Sequence, residues 1–427
     1  MSTEIFTAKE RTERKFTVSA PVYTPFYNKW GANVYWQTDK FDFDPLNLDA
    51  NSTPGSPVLI AQELFIGFLN AVGGRFVFDG VRTLTLIVEP GQTVIINEQC
   101  NPYEIWKEYN THFPKAAHEE KFWELLEFCT WVEQSKTAHF SGKSNYDVFN
   151  EELVYDYLRR IEKMNLPKGK FTIDEGWCER RLPDKRYATG NYIADRDKFP
   201  HFEKMIKDIT DEGYTPGLWF SPFIAAPDAD IAKKCPNILK KAEESGRKQF
   251  FINPEEEALL HSYYHDVFAT YIEMGIRKLK IDIAYSKMSD MISLLRILSE
   301  EVRKIDNTVE IECHMPNILA NPYCDTVRLN DVSVDRSDWR SVTLGHFDVC
   351  RRSAPDKILN LDHIGSNAAA PGANAFMEHW HMLRSFLAET RSYVVVSDLP
   401  DIFTKDVCDR FCDELRDVYS QDGFRKQ

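Results

Sequence analysis

The chain lacks any apolar run of the roughly 18 residues that a membrane-spanning helix needs. Its first residues, Met1 to Phe6 (MSTEIF), lack the basic and then apolar pattern of a secretory signal. The nine cysteines, at 100, 129, 178, 235, 313, 324, 350, 408 and 412, form no CxxC pair with metal-finger spacing. An odd, scattered set fits reduced thiols better than a disulfide framework. A soluble, cytoplasmic protein with no membrane partner is therefore expected. Basic residues are the minority, 52 Lys+Arg against 66 Asp+Glu, for a formal charge of −14. Such a surface repels phosphate backbones, which excludes nucleic acid as the main partner. No Gly-rich phosphate loop follows an apolar segment, and no cofactor is expected. The run Glu378-His379-Trp380-His381 lacks the i,i+4 histidine spacing that puts two metal ligands on one helix face, so no metal is expected either.

What is present is material for a large core: 427 residues, 43% hydrophobic and 13% aromatic. That length suggests two domains, or one barrel-sized domain with an appendage. Residues 1–115 carry short apolar stretches between turn residues, such as Val58-Leu59-Ile60, Gly74 to Gly80 (GRFVFDG) and Thr83 to Val88 (TLTLIV). Alternation, β-branching and turn punctuation predict an N-terminal antiparallel, sandwich-like β domain. From 116 to 427 short apolar strands alternate with long amphipathic helices. Eight strands are predicted: Glu127–Trp131, Lys170–Asp174, Thr215–Phe220, Lys278–Asp282, Val309–Cys313, Thr326–Asn330, Lys357–Asp362 and Ser392–Ser397. Helices are predicted over Val148–Lys163, Phe202–Glu212, Glu255–Met274, Lys287–Lys304, Asn374–Leu387 and Thr404–Tyr419. Strand–helix alternation implies parallel pairing, and eight repeats close into a (β/α)8 TIM barrel, an α/β fold.

A barrel of this kind carries its active site at the C-terminal ends of its strands. Here those ends deliver acids, tryptophans and cations: Trp131, Asp174-Glu175, Trp177, Trp219, Lys280, Asp282, His314, Arg328, Asp331, Asp362 and Asp398. Charged groups are seldom buried unpaired, so their accumulation on one rim asks for a polar ligand. Carboxylates that hold hydroxyls, indoles that pack on a sugar face and two acids for displacement are the parts of glycoside hydrolysis. Lys280 and Asp282 alternate along one strand and share its inward face. A cation beside Asp282 would keep it ionised, as a nucleophile requires; an interior ion pair fits the same spacing.

The ordered set FTIDEGW (171–177), RDKFP (196–200), GYTPGLWFSPF (213–223), FCTW (128–131), KID (280–282), EC (312–313), DTVR (325–328), LNLD (359–362) and VSD (396–398) resembles glycoside hydrolase family 36. That family holds α-galactosidases and raffinose-type transferases, in the clan shared with families 27 and 31. The resemblance implies that Asp282 is the nucleophile and that Lys280 contacts sugar hydroxyls. It implies that Asp174 and Glu175 grip the outer hydroxyls. Trp131, Trp177 and Trp219 would line the pocket, Cys313 would sit near the 2-hydroxyl, and Arg328 would orient the acid. The family's acid/base lies four residues after that arginine, where this chain has Val332; Asp331 is the preferred replacement, with Asp335 and Asp338 as rivals. Glu175 replaces the family's second aspartate, which puts galactose itself in question. His314 stands where small, glycine-rich sequence is usual and could meet an N-acetyl or hydroxyl group.

With its last residue at Gln427, the chain is expected to lack the C-terminal β domain common in the family. A homo-oligomer that covers the barrel helices is an expectation. The implied activity is a retaining α-glycosidase, α-galactosidase-like, acting on a small carbohydrate or glycoside. A glycosyl-transferring relative, one specific for N-acetylgalactosamine or glucose, and a sugar-binding pseudoenzyme are the alternatives.

Overall fold

The computed structural model describes the whole chain except residues 1–2, 25–26, 29–35, 47–51, 54, 100, 115–121, 180–189, 242–249, 283–286, 366–371 and 421–427. Its N-terminal part is two antiparallel sheets. The six-stranded one runs, in spatial order, Glu4–Thr7, Thr93–Glu98, Leu64–Phe68, Val58–Ala61, Val22–Tyr23 and Trp36–Gln37. The four-stranded one runs Thr12–Thr17, Thr83–Val88, Gly74–Phe78 and Phe41–Phe43. Burial alternates along Thr83–Val88 and Gly74–Phe78, as it must for strands with one face in water. Val58–Ala61 and Leu64–Phe68 are buried at every residue. The reason is that the six-stranded sheet is covered on both faces. Ile66 and Phe68 face the other sheet. Val58, Ile60, Phe65 and Ile95 pack on Trp106 and Tyr109 and on Ile318 and Val349 of the barrel. Trp106 and Tyr109 belong to helix Pro102–Asn110, started by Asn101, whose side chain accepts from the Tyr103 N–H. Gly67 lets the Tyr109 ring lie flat on the sheet, since a Cβ there would come within 2.7 Å of it.

Eight parallel strands then close the predicted barrel: β1 (Glu127–Cys129), β2 (Lys170–Ile173), β3 (Thr215–Phe220), β4 (Lys278–Ile281), β5 (Glu310–Cys313), β6 (Thr326–Arg328), β7 (Ile358–His363) and β8 (Ser392–Val396). β1 pairs with β8, Glu127 beside Val395. The six predicted helices form with ends shifted by a few residues, for example Glu151–Lys163 and Met288–Ile305. Trp131–Ser141 and Trp339–Ser353 are further helices that the hydrophobic pattern did not reveal. Chain reversal after β1 is immediate, so Trp131 opens a helix rather than ending a strand.

The barrel interior is ionic. Outward-facing Phe171, Leu218, Leu279, Ile311 and Val327 meet the helices in the apolar core. Inward, Lys170 pairs with Glu310 at 3.0 Å and lies 3.1 Å from the centre of the Tyr393 ring. One layer up, Lys278 bridges Glu127 and Glu312, the latter at 2.6 Å, while Asn360 and Tyr393 donate to Glu312 at 2.7 and 2.8 Å. Buried charges are tolerated only when paired and hydrogen-bonded, and here almost every one is.

Candidate active site

The third and uppermost layer is the mouth. Alternation carries Lys280 and then Asp282 inward from β4, and Glu312 and then His314 inward from β5. Asp174, just past β2, takes the Lys280 ammonium at 2.6 Å and the Cys129 thiol at 3.0 Å on one oxygen; its other oxygen accepts from the Glu175 N–H at 2.7 Å. Burial pushes the Cys129 thiol well up, and Asp174 adds to this, so the sulfur is a donor and not a thiolate. Burial works against the Lys280 charge, but Asp174 more than restores it.

Asp282 stands across from this pair. Its Oδ2 accepts from the Trp219 indole N–H at 3.1 Å, and its Oδ1 lies 3.1 Å from His314 Nδ1. Its backbone N–H donates to the Phe220 carbonyl, which fixes the turn out of β4. Burial opposes ionisation of Asp282, yet His314, Arg328 and Lys280 hold its carboxyl well below the usual carboxylate range. The side chain stays 20% exposed, an open face onto the mouth. The expected lysine neighbour is thus a secondary influence: Lys280 pairs with Asp174, and His314 and Trp219 are the groups that hold Asp282.

Arg328, at the end of β6, joins the other half of the mouth. Its Nε donates to His314 Nε2, and its Nη1 lies 2.8 Å from Asp331 and 2.5 Å from Asp362. Of the three candidate acids, Asp331 reaches this arginine. Asp335 is exposed, and Asp338 is half-exposed just before helix Trp339–Ser353, its carboxylate 2.9 Å from Arg336 and making no capping bond.

Two expected pocket residues lie elsewhere. Trp177 is fully buried in the helix layer, stacked on Phe202 and edge-on to Tyr271 and Phe220, with its N–H on the Trp219 carbonyl. The turn at Gly176 (φ +111°) swings it out of the mouth. Cys313 pairs in register with outward Ile281 and packs in the outer core beside Cys324, one position out of phase with the inward Glu312 and His314. Trp131 is half-buried and packs on the cluster that holds Cys129, Tyr393 and Val395. Trp219 is 1% exposed, so it acts through its N–H rather than as an open platform. Glu175 is half-buried beside Asp174. His314 touches an acid and an arginine rather than standing free for a ligand.

Sequence reasoning named Asp362 as a strand end and gave it no role; its contact with Arg328 depends on a break in β7 register between Asn360 and His363. Among the described residues no group of three or more His, Cys, Asp or Glu side chains could hold a metal ion, and no helix is long and apolar enough to cross a membrane.

Fold and mouth together define a closed (β/α)8 barrel whose mouth is lined by paired carboxylates and cations. Residues 143–308, from the helices after β1 to the entry of β5, match the Melibiase family model. The chain is similar to an α-galactosidase, AgaA, from Geobacillus stearothermophilus, 25% identical over 120 residues that make up 27% of this chain and 16% of that enzyme. An α-galactosidase of Escherichia coli is 28% identical over 105 residues, 23% of this chain and 15% of the enzyme. These matches therefore span about a sixth of the curated relatives' length. Among solved structures, the α-galactosidase TtGalA from Thermus thermophilus, in complex with p-nitrophenyl α-D-galactopyranoside, superimposes with TM-score 0.67 at 16% identity, covering 97% of this chain and 92% of that one. A GH31 α-xylosidase from a soil metagenome has TM-score 0.69 at 10% identity, covering 98% of this chain and 67% of its own. Those likenesses concern the fold.

Proposed function

We propose that the chain is a retaining α-glycosidase for terminal α-galactoside-like sugars, working by double displacement. The observation that carries the reading is the state of Asp282: ionised, steered on both oxygens by Trp219 and His314, and open to the mouth. In the first half-reaction an Asp282 oxygen bonds to the anomeric carbon as the bond to the leaving oxygen breaks, and Asp331 gives that oxygen a proton. In the second, Asp331 takes a proton from water, whose oxygen bonds to the anomeric carbon as the bond to Asp282 breaks. Lys280 and Asp174, locked together, present a charged wall suited to sugar hydroxyls, with Glu175 beside them. The similar structure bound to a nitrophenyl galactoside and the melibiase match favour galactose-type substrates.

The test is kinetic. Asp282→Asn should lower turnover of nitrophenyl α-galactoside by at least about 10³-fold with an unchanged circular dichroism spectrum. Asp282→Gly given azide should form the β-glycosyl azide, because the small anion attacks from the face that the carboxylate has left. Near-normal turnover by Asp282→Asn would end the assignment.

A further inference from the structure

A general acid must carry its proton when the sugar binds. Asp331 stands 2.8 Å from an arginine nitrogen, and a cation that close lowers a lone carboxylate's pKa by about 1–3 units. Left to Arg328, Asp331 would be the wrong form for its task. The same nitrogen, however, also serves Asp362 at 2.5 Å. We propose that Asp362 is a positioning residue that keeps the proton on Asp331: one guanidinium held between two carboxylates makes the pair, and not Asp331 alone, the acid of the site. The inference rests on the reading of Asp331 as acid/base given above.

Three observations converge on Asp362. Its backbone is left-handed, φ +66°, at a residue that is not glycine and sits in the register break of β7. Such strain persists where the surroundings dictate it, commonly at working sites. Its N–H is tied to Asn360 Oδ1 at 2.8 Å, which holds the kink. Its Oδ2 is buried and has no hydrogen-bond partner among the described residues. With no donor on that oxygen, the charge of Asp362 falls on Arg328, the cation it shares with Asp331.

The groups facing Asp362 come from four strands and the segment after β6. Lys280 faces it from β4, His314 from β5, Arg328 from β6, Asp331 from the segment beyond, and His363 from its own strand at 3.6 Å. Burial lifts the Asp362 carboxyl to about 6, the like charge of Asp331 adds to this, and Arg328 and Lys280 offset part of it. Burial pushes His363 down to about 3, so it is neutral and contributes no charge. Two acids coupled through one cation lose their protons in two steps that belong to the pair. Below about pH 6 the pair holds one proton, and Asp331, the member open to the mouth, spends it on the leaving oxygen and regains it from water.

Replacing Asp362 by Asn leaves Arg328 with one carboxylate. The basic limb of the kcat/KM profile should then fall by about one pH unit or more. At pH 7 the loss should be at least tenfold larger for stachyose than for a nitrophenyl galactoside, whose leaving group needs no proton. An active Asp362→Asn enzyme with the wild-type basic limb would overturn the proposal. Infrared spectroscopy asks the same question without turnover. The wild-type minus Asp362→Asn spectrum should show a protonated-carboxyl band that titrates near pH 6; no such band overturns it, even if no glycoside is cleaved. A band with an inert enzyme would instead sink the glycosidase reading and leave the dyad standing. If Asp362→Asn fails to fold, Asp331→Asn supplies the mirror measurement: Asp362 then faces Arg328 alone, and its band must move to lower pH. A band that stays in place overturns the dyad.

Discussion

The two halves of the molecule fill their interiors by opposite means. Between the N-terminal sheets lie Phe16, Ile66, Phe68, Phe76, Phe78, Leu84 and Leu86, and no buried residue described in the first 114 is charged. Inside the barrel lie Lys170, Lys278, Lys280, Glu127, Glu310, Glu312 and Asp174, each at most 3% exposed. The usual filling of such a barrel is branched aliphatic side chains. Ion pairs are a poor route to stability, since desolvation cancels most of their attraction. Their value here is continuity with the mouth: the field of Lys278, Lys280 and Arg328 holds Glu312 ionised against its burial, and two of these cations, Arg328 and Lys280, also act on Asp282. The sandwich is built for cohesion, and the barrel core is built as a charged support for its rim.

The strongest way to break this contrast is to remove one ion. Lys278→Met leaves Glu127 and Glu312 facing each other without their cation. Stranding buried charges in this way costs about 3–5 kcal/mol, and urea denaturation should show a loss of that size. Lys278→Met with Glu127→Gln and Glu312→Gln should recover most of it. A single-variant loss below ~1 kcal/mol would mean that water reaches this layer and that the two interiors differ less than the geometry indicates.

A gentler probe is acid. Burial pushes His346, His363 and His379 down to about 3, and all three belong to the barrel. Because their folded values lie below the unfolded value of about 6.5, the unfolded chain binds more protons between those limits. Their stabilisation is complete above pH 6.5 and is lost as pH falls toward 3. Asp362 and Asp398, raised to about 6, run the other way and gain stability as pH falls from 6 toward 4. His379 accepts from the Gly365 N–H at 2.9 Å, a bond that a glutamine oxygen can also take. His379→Gln should therefore shrink the stability lost between pH 7 and pH 5 by ~2 kcal/mol, read from urea midpoints at both pH values. An unchanged loss would show that His379 is charged in the folded state.

The sequence revealed the architecture because apolar strands and helical stripes are local signals, and the eight barrel strands lie within two residues of their predicted ends. Helix Trp131–Ser141 escaped because its buried face includes Glu133 and Lys136, which Arg160 and Asp398 neutralise from distant segments. Parity along a strand placed Asp282 inward correctly. The same rule, counted from Glu312, would have turned Cys313 outward. Which acid Lys280 grips could not be read from spacing, because Asp174 arrives from β2 across the barrel. Asp362 owes its place to a register break and a left-handed residue, neither of which leaves a mark in a line of letters.

The smallest expected effect lies where the two interiors meet. Ser56 is buried at that seam: its Oγ accepts from the Ile318 N–H at 3.2 Å and lies 3.5 Å from the Ser353 carbonyl, beside the Gly55 carbonyl held by Asn317 at 2.8 Å. These few polar contacts pin an apolar surface, Val58, Ile60 and Phe65 against Ile318 and Val349, which is large enough to hold without them. Ser56→Ala should cost ~1 kcal/mol, the net worth of one hydrogen bond, with sandwich and barrel still melting together. Calorimetry decides the point. A single transition of slightly lower Tm fits a seam held by apolar contact; two separated transitions would mean that Ser56 couples the halves and that they are otherwise independent.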